Sequence, residues 1–195
     1  MKNNFKIKIT RLTSWKDVLN NARFTQRKED LDKEPSDNFK RNIIKAEHSP
    51  LRSLMFNIDL YDIPYYVHVH LVRHIHAQPY VSTSRPDIDG NQLPRDEQRK
   101  TDPVNARLFL NAQEIIHISK ARLCRKAEEE TRKIWKAVID ELWKQEPILA
   151  DACVPYCVYR NGICPEMKCC GFCKTEGCRK EIIQYLANFK NEQKS

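Results

Sequence analysis

The cysteines of this chain are concentrated at one end, and their placement constrains the fold more than any other feature. Seven of the eight lie in the 26 residues from Cys153 to Cys178, and only Cys124 lies outside that stretch. A disulfide-stapled secreted domain normally has cysteines throughout its core and a secretory signal peptide. The first 123 residues contain no cysteine, and the N-terminal stretch MKNNFKIKIT lacks the apolar run of a signal peptide. The pattern therefore predicts a local metal site in a cytoplasmic protein.

The spacing of the clustered cysteines is typical of a structural zinc site. Cys170-Gly-Phe-Cys173 is a CxxC motif with a glycine in its turn, and Cys157 and Cys164 flank a second turn at 161–162. Four thiolates at about 2.3 Å would complete a closed tetrahedral site, for which we predict the ligands Cys157, Cys164, Cys170 and Cys173. Alternative ligands are Cys153, Cys169 and Cys178. An iron–sulfur cluster, or thiols that are free or disulfide-linked, are alternative interpretations.

Length and composition favour one domain with a small appendage. Of the 195 residues 41% are hydrophobic, which is enough to fill a core. We expect the body at 1–150, and a cysteine-rich tail with a terminal helix at 151–195. No apolar run approaches the ~18–20 residues that cross a bilayer. We therefore expect a soluble protein that does not bind a membrane. The net charge of +8 favours an anionic partner, such as a nucleotide or a nucleic acid.

Hydrophobic periodicity predicts an α+β fold with a small sheet and long helices. Alternation predicts strands over 5–9 and 51–61. Helical spacing and capping residues predict helices over 14–24, 37–50, 65–75, 104–122, 124–144 and 179–195. The stretch 79–103 holds four prolines and is predicted to be a long loop, a kind of segment that is usually functional or disordered.

A segment rich in histidine, arginine and hydroxyl groups is the candidate anion site. Arg73 and Arg85 flank three hydroxyl side chains at 82–84. Guanidinium groups and hydroxyls on a loop suit a phosphate. His70 and His74, one helical turn apart, are a weaker alternative as a metal pair, because no acidic third ligand accompanies them.

The same segment resembles the signature of the flavin-dependent thymidylate synthases, RHRxxSxNExSxRY. Aligned on residues 73–86, the chain keeps Arg73, His74 and Arg85, and it has Thr83 where the signature has its last serine. It departs from the signature at Ile75, Gln78, Tyr80, Val81 and Pro86. Three flanking landmarks are similar to the family's in the same order: EHSPLR at 47–52, the outer Asn111 and Arg122 of a helix motif, and AEEETR at 127–132. The resemblance covers roughly residues 5–148.

The resemblance implies a homotetramer with active sites built between subunits, which binds FAD and dUMP and uses methylenetetrahydrofolate and NADPH. By position, the nucleotide contacts would be Arg73, Thr83, Ser84, Arg85 and Arg122. The flavin contacts would be Ser49, His74, Asn111, Gln113 and His117. Arg122 would also stabilise the negative charge that develops when C5 of the pyrimidine acts as a nucleophile. No cysteine nucleophile is implied.

The departures from the signature leave the reaction open. The nucleotide arginines persist, whereas Ile75 and Val81 remove a positive charge and a carboxylate. The resemblance predicts one-carbon transfer to C5 of a pyrimidine deoxynucleotide, with dUMP converted to dTMP. Alternatives are a divergent relative that makes a hydroxymethylated or other pyrimidine nucleotide, a non-catalytic nucleotide binder, and a zinc-containing protein that binds nucleic acid.

Overall fold

A four-stranded antiparallel sheet forms the centre of the molecule. The computed structural model describes residues 5–83, 85 and 97–189. The strands are β1 (Lys6–Arg11), β2 (Met55–Pro64), β3 (Gln78–Val81) and β4 (Pro103–Asn111), in the order β1-β2-β4-β3. Together with the helices around them, they confirm the predicted α+β class with a small sheet.

The described helices pack against the strands β1, β2 and β4. They are α1 (Trp15–Phe24), α2 (Asp37–Lys45), α3 (Tyr65–Leu71), α4 (Ala112–Arg122), α5 (Glu129–Trp143), α6 (Pro147–Asp151), α7 (Tyr156–Tyr159) and α8 (Glu176–Asn188). Short 3-10 turns occur at Ser49–Ser53 and Phe172–Lys174. α5 begins later than predicted because Glu128 caps it, accepting from the backbone N–H of Thr131 at 2.8 Å.

The two faces of β2 have different surroundings, as its alternation predicts. Phe56, Ile58 and Leu60 are fully buried against the helices. Asp59 points to the other face and is still only 4% exposed, because the Arg107 guanidinium covers it with two hydrogen bonds of 2.6 and 2.9 Å. This ion pair lowers the pKa of Asp59. The face of β2 that the helices cover therefore contributes to the core, and the other face carries polar side chains.

The helix predicted over 104–122 is wrong in its first half. Residues Pro103–Asn111 form β4, in which Ala106, Leu108 and Leu110 are buried and the residues between them are more exposed. Burial every second residue is the pattern of a strand with one covered face. These apolar residues come just before the apolar residues of α4 in the sequence. Taken together, the two sets also fit the spacing of apolar residues in a helix.

Part of the predicted 79–103 loop is also a strand. β3 pairs with β4, with Tyr80 opposite Arg107 and Val81 opposite Ala106. The Ser82 N–H donates to the Asn105 carbonyl at 2.8 Å and continues the ladder by one bond. Most of the remaining loop lies outside the described residues.

The cysteine-rich tail packs on the body and also has a small apolar cluster of its own. Cys153 and Phe189 belong to the main core. A separate cluster consists of Cys157, Val158, Phe172, Cys178 and Ile182. This second group, here called the tail cluster, holds α7 against α8.

Candidate active site

The junction of β4 and α4 places several polar side chains on one cleft. Asn111 ends the strand and caps the helix, because its side-chain oxygen accepts from the Glu114 N–H at 2.9 Å. The cleft has a volume of about 400 Å³. Its lining residues are Glu47, Arg52, His76, Asn111, Gln113, Glu114, His117, Lys120, Tyr156, Tyr159 and Arg160. Larger clefts lie on the sheet's outer face and beside α5, but three of the five residues predicted for flavin, Asn111, Gln113 and His117, line this one.

A chain of polar side chains runs beneath this cleft from α4 to the turn after α3. Arg122 donates from Nε to His74 Nε2 at 3.0 Å and from Nη2 to the His70 carbonyl at 2.7 Å. The other ring nitrogen of His74 lies 3.8 Å from the Glu114 carboxylate. Glu114 in turn lies 3.5 Å from His117 Nδ1. Residues from two separate segments therefore form one connected group.

The protonation of this group follows from its burial. Burial and the nearby charges of Arg122 and His117 lower the pKa of His74 to about 4, so its ring is neutral at pH 7. Since Nε2 accepts from Arg122, the proton of the neutral ring is on Nδ1, facing Glu114. Burial raises the pKa of Glu114, although the positive charges of His117 and His76 oppose the shift.

The guanidinium of Arg122 is half-buried, and no carboxylate of the described residues forms an ion pair with it. Burial and repulsion by Arg73 both lower the pKa of Arg122. Among the described residues, its two hydrogen-bond acceptors are a neutral ring and a backbone carbonyl, and none of them accepts from Nη1. Two neighbouring arginines that repel each other favour an anion between them.

A second polar group closes the opposite side of the cleft. Lys120 donates to the Glu47 carboxylate at 2.5 Å, and Tyr159 donates to the same oxygen at 2.6 Å. Burial opposes ionisation of Glu47, but these two hydrogen bonds outweigh it and lower the pKa of Glu47. The same carboxylate raises the pKa of Tyr159 to about 12. At pH 7 the group is therefore an ion pair with a neutral phenol.

Most residues predicted for flavin lie on or beside this cleft. Asn111, Gln113 and His117 line it. His74 does not line it but lies 3.8 Å from the carboxylate of Glu114, which does. Ser49 is exposed at the start of its 3-10 turn and does not line the cleft. The same turn nevertheless contacts α4, because Arg52 donates to the Gln113 side-chain oxygen at 2.6 Å.

The residues predicted for the nucleotide fall into two groups. Arg73 is close enough to Arg122 to affect its pKa, whereas Thr83 follows β3 and accepts from the Arg85 N–H at 3.1 Å. Ser82 and Asn105 bond each other just before this point. Asn105 lies six residues before Asn111 along β4, or about 20 Å at the usual rise of a strand. Thr83 and Arg85 follow the end of β3 that lies opposite Ala106, and Ser84 lies outside the described residues.

Among the described residues the four predicted zinc ligands do not form one group, although Cys164 and Cys173 both contact Cys169. Cys157 is buried with Cys178 in the tail cluster, and burial raises the pKa of its thiol to about 12. Cys173 lies 3.3 Å from Cys169, sulfur to sulfur, and Cys169 was predicted only as an alternative ligand. Within the part of the chain that the structure describes, no three His, Cys, Asp or Glu side chains form a group that would hold a metal ion. Zinc binding stays a prediction.

Several residues of the cleft were not among those predicted for the site. They are Glu47, Arg52, His76, Glu114, Lys120, Tyr156, Tyr159 and Arg160. Glu114 had a local signal, since an asparagine followed three residues later by a glutamate is typical of a helix start. Tyr159 had none, because it is 112 residues from its partner Glu47.

Comparison with solved structures assigns the fold. The chain is similar to the flavin-dependent thymidylate synthase from Helicobacter pylori complexed with FAD and dUMP, with a TM-score of 0.63 and 14% identity over 76% of this chain and 99% of that chain. Another structure of that enzyme with FAD and dUMP gives the same values. A UMP/dUMP methylase from Streptomyces cacaoi bound with 5-Br dUMP matches with a TM-score of 0.59 and 13% identity, over 75% of this chain and 94% of that chain.

The predicted resemblance to flavin-dependent thymidylate synthases is thus confirmed for the fold. No family model matches the sequence, and no curated protein matches it. Among the described residues, no helix is both long enough and apolar enough to span a bilayer.

Proposed function

We propose that this protein transfers a one-carbon unit from methylenetetrahydrofolate to C5 of a pyrimidine deoxynucleotide, with dUMP converted to dTMP. The observation that carries the proposal is the hydrogen bond from Arg122 to a neutral His74. This bond orients the guanidinium beside the cleft and leaves its positive charge in place. The fold supports the same function, since the solved neighbours include enzymes complexed with dUMP. A divergent relative that leaves a hydroxymethyl group uses the same nucleotide site and is the second candidate, because Ile75 and Val81 alter the signature.

In this proposal Arg122 stabilises negative charge on the pyrimidine. When C5 attacks an electrophilic carbon, electron density moves onto the ring and its carbonyl oxygen. A guanidinium that is already desolvated and oriented stabilises this charge without reorganising at the moment of reaction. His74 and the His70 carbonyl provide that orientation. Arg73 would pair with the phosphate of the nucleotide.

The donor set of the cleft fits FAD. Asn111 uses its side-chain oxygen for the helix cap, so its NH₂ group remains to donate, and no described residue accepts from it. Arg52 is exposed and has a neutral amide, Gln113, as its partner. The amide donors of Asn111 and the charge of Arg52, which no described carboxylate pairs, match the carbonyl oxygens of a flavin ring and the charge of a pyrophosphate. When bound, FAD would accept hydride from NADPH and pass it on; Asn111, Gln113 and His117 would hold it.

The separation of the two nucleotide groups supports a shared site. Asn105, which bonds to Ser82 just before Thr83, lies about 20 Å along β4 from Asn111, and in the proposed assembly a second copy of the chain brings its Thr83 and Arg85 to the first copy's Arg122. This arrangement agrees with the homotetramer that the resemblance implies.

Flavin binding tests the proposal directly. We expect the purified protein to be yellow or to take up added FAD, with a shifted absorbance spectrum and a raised melting temperature. Addition of dUMP should raise the melting temperature further. A colourless protein that neither shifts the FAD spectrum nor gains stability from FAD would contradict the proposal.

A further inference from the structure

The cysteine-rich segment supplies one wall of the candidate active site. Tyr156, Tyr159 and Arg160 all line the cleft that carries Gln113 and His117. We propose that Arg160, supported by the ring of Tyr156, binds an anionic group of a ligand held in this cleft. The inference rests on the proposed function and assigns a binding residue to the cysteine-rich segment.

A single helical turn builds this wall. In α7, Cys157 and Val158 point into the tail cluster and are 7% and 1% exposed. The flanking Tyr156 and Tyr159 are half-buried and face the cleft. The turn is ended at Gly162, whose N–H donates to the Cys157 carbonyl at 2.7 Å and whose φ of +92° favours glycine. The packing of the tail cluster thereby fixes where Arg160 lies.

Tyr159 attaches the wall to the body. Its hydroxyl donates to Glu47 at 2.6 Å, and the Lys120 ammonium lies 3.7 Å from the centre of its ring. Tyr185 of α8 contacts the same ring edge-on, with a centroid separation of 6.3 Å. These contacts come from three separate elements, so the residue next to Arg160 is held from several sides.

Arg160 is the cation of this wall that remains available. The charge of Lys120 is neutralised by Glu47, whereas no described carboxylate lies within salt-bridge distance of Arg160. The Arg160 guanidinium lies 5.2 Å from the centre of the Tyr156 ring, which is within the range of a cation–π contact. Such a contact limits the motion of the guanidinium without neutralising its charge, so its donors remain free for an anion.

The chemistry shared by the possible ligands is an oxyanion, either a phosphate or a carboxylate. The nucleotide, the flavin cofactor and NADPH each contribute phosphate, and the folate contributes the carboxylates of its glutamate. A planar guanidinium binds either group through two parallel hydrogen bonds. The dissociation constants of the four ligands, measured separately, identify which one uses Arg160.

The experiment compares the full-length wild type with Arg160→Gln and Arg160→Lys by isothermal titration with dUMP, FAD, NADPH and tetrahydrofolate. We expect Arg160→Gln to weaken at least one of these ligands by about 10- to 100-fold, the range for a hydrogen bond to a charged group. Arg160→Lys should recover part of that loss because it restores the charge. Arg179→Gln is the matched control, since Arg179 is exposed on α8 and away from the cleft.

The outcomes separate this inference from the proposed function. All three variants should keep the melting temperature of the wild type. An unchanged melting temperature would show that weaker ligand binding is not a consequence of unfolding. If the wild type binds the ligands and Arg160→Gln binds all four within twofold of it, the inference is wrong and the proposed function stands. If the wild type binds neither FAD nor dUMP, the proposed function fails and this inference fails with it.

Discussion

Arg122 and His74 are joined by a hydrogen bond of 3.0 Å from a guanidinium to a neutral imidazole. A carboxylate in the place of His74 would hold the arginine equally well but would neutralise its charge. Burial keeps His74 neutral, with a pKa of about 4, so the positive charge of Arg122 remains available to a ligand. The relationship between these two residues therefore accounts for both the position and the electrostatics of the proposed catalytic group.

Replacement of Arg122 should affect catalysis more than folding. We expect Arg122→Gln to lower the rate of one-carbon transfer by about 100-fold or more, the usual cost of removing a group that stabilises transition-state charge. Arg122→Lys should recover little, because a lysine cannot reproduce the bonds to both His74 and the His70 carbonyl. The turnover number for dTMP formation measures this, with Arg179→Gln as the control. A turnover of Arg122→Gln within threefold of the wild type would contradict the assignment.

Stability should fall in mild acid because His74 is buried in its neutral form. Its pKa is about 4 in the folded chain and about 6.5 in the unfolded chain. Between these values the unfolded state binds more protons, so the stabilisation is fully present above pH 6.5 and is lost as pH falls towards 4. With allowance for solvent screening, the loss is about 2 kcal/mol.

The measurement is the free energy of unfolding by urea between pH 4 and 7.5, for the wild type and His74→Asn. His68 is also buried, and its lowered pKa gives a dependence of the same sign, so the effect of His74 is the difference between the two proteins. The neighbours that face His74, which are Arg122, Glu114 and His117, are present in both proteins. Parallel curves for the two proteins would contradict the assigned protonation of His74.

Tyr159 should stabilise the contact between the tail and the body. Tyr159→Phe removes the hydrogen bond to Glu47 and leaves a partly buried carboxylate with one donor fewer, at an expected cost of about 1–2 kcal/mol. Tyr80→Phe is the matched control, because Tyr80 is 57% exposed. Urea unfolding measures both variants. An equal effect of the two substitutions would show that the hydrogen bond to Glu47 does not stabilise the fold.

The sequence predicts one zinc ion per chain in the tail, with Cys157, Cys164, Cys170 and Cys173 as ligands, although these four do not form one group in the described part of the chain. We expect about one equivalent of zinc after purification without chelators, and almost none in Cys164→Ser and Cys170→Ser. Cys153→Ser is the control, because Cys153 is buried in the main core and its thiol donates to the Leu149 carbonyl. Metal analysis decides the question, and a ratio near zero in the wild type would contradict the prediction.

Local patterns in the sequence predicted those parts of the fold that depend on neighbouring residues. The alternation around Phe56 and Ile58 predicted β2, and a capping residue at Thr13 or Ser14 predicted the start of α1. β4 was predicted as a helix because Leu108 and Leu110 lie close enough to the apolar residues of α4 to fit a helical period as well. The pairing with β2 decides between the two, and that pairing depends on residues about 50 positions away.

The site shows the same division between local and distant contacts. A family motif identified His74 and Arg122 individually, and the structure shows the hydrogen bond between them. Glu47, Lys120 and Tyr159 form a group only in three dimensions, since Glu47 is 73 residues from Lys120 and 112 from Tyr159. No local pattern specifies such a group, because its members are brought together by the packing of the tail on α4.

Release of tritium from [5-³H]dUMP tests the central claim most directly. The wild type is incubated with the labelled nucleotide, FAD, NADPH and methylenetetrahydrofolate. The tritium released into water and the amount of methylated or hydroxymethylated nucleotide are measured in the same samples. We predict that tritium is released by the wild type and falls by about 100-fold or more in Arg122→Gln, and that dTMP or its hydroxymethyl analogue accumulates. A wild type that binds dUMP and FAD but releases no tritium would contradict the account and would identify the chain as a non-catalytic nucleotide binder.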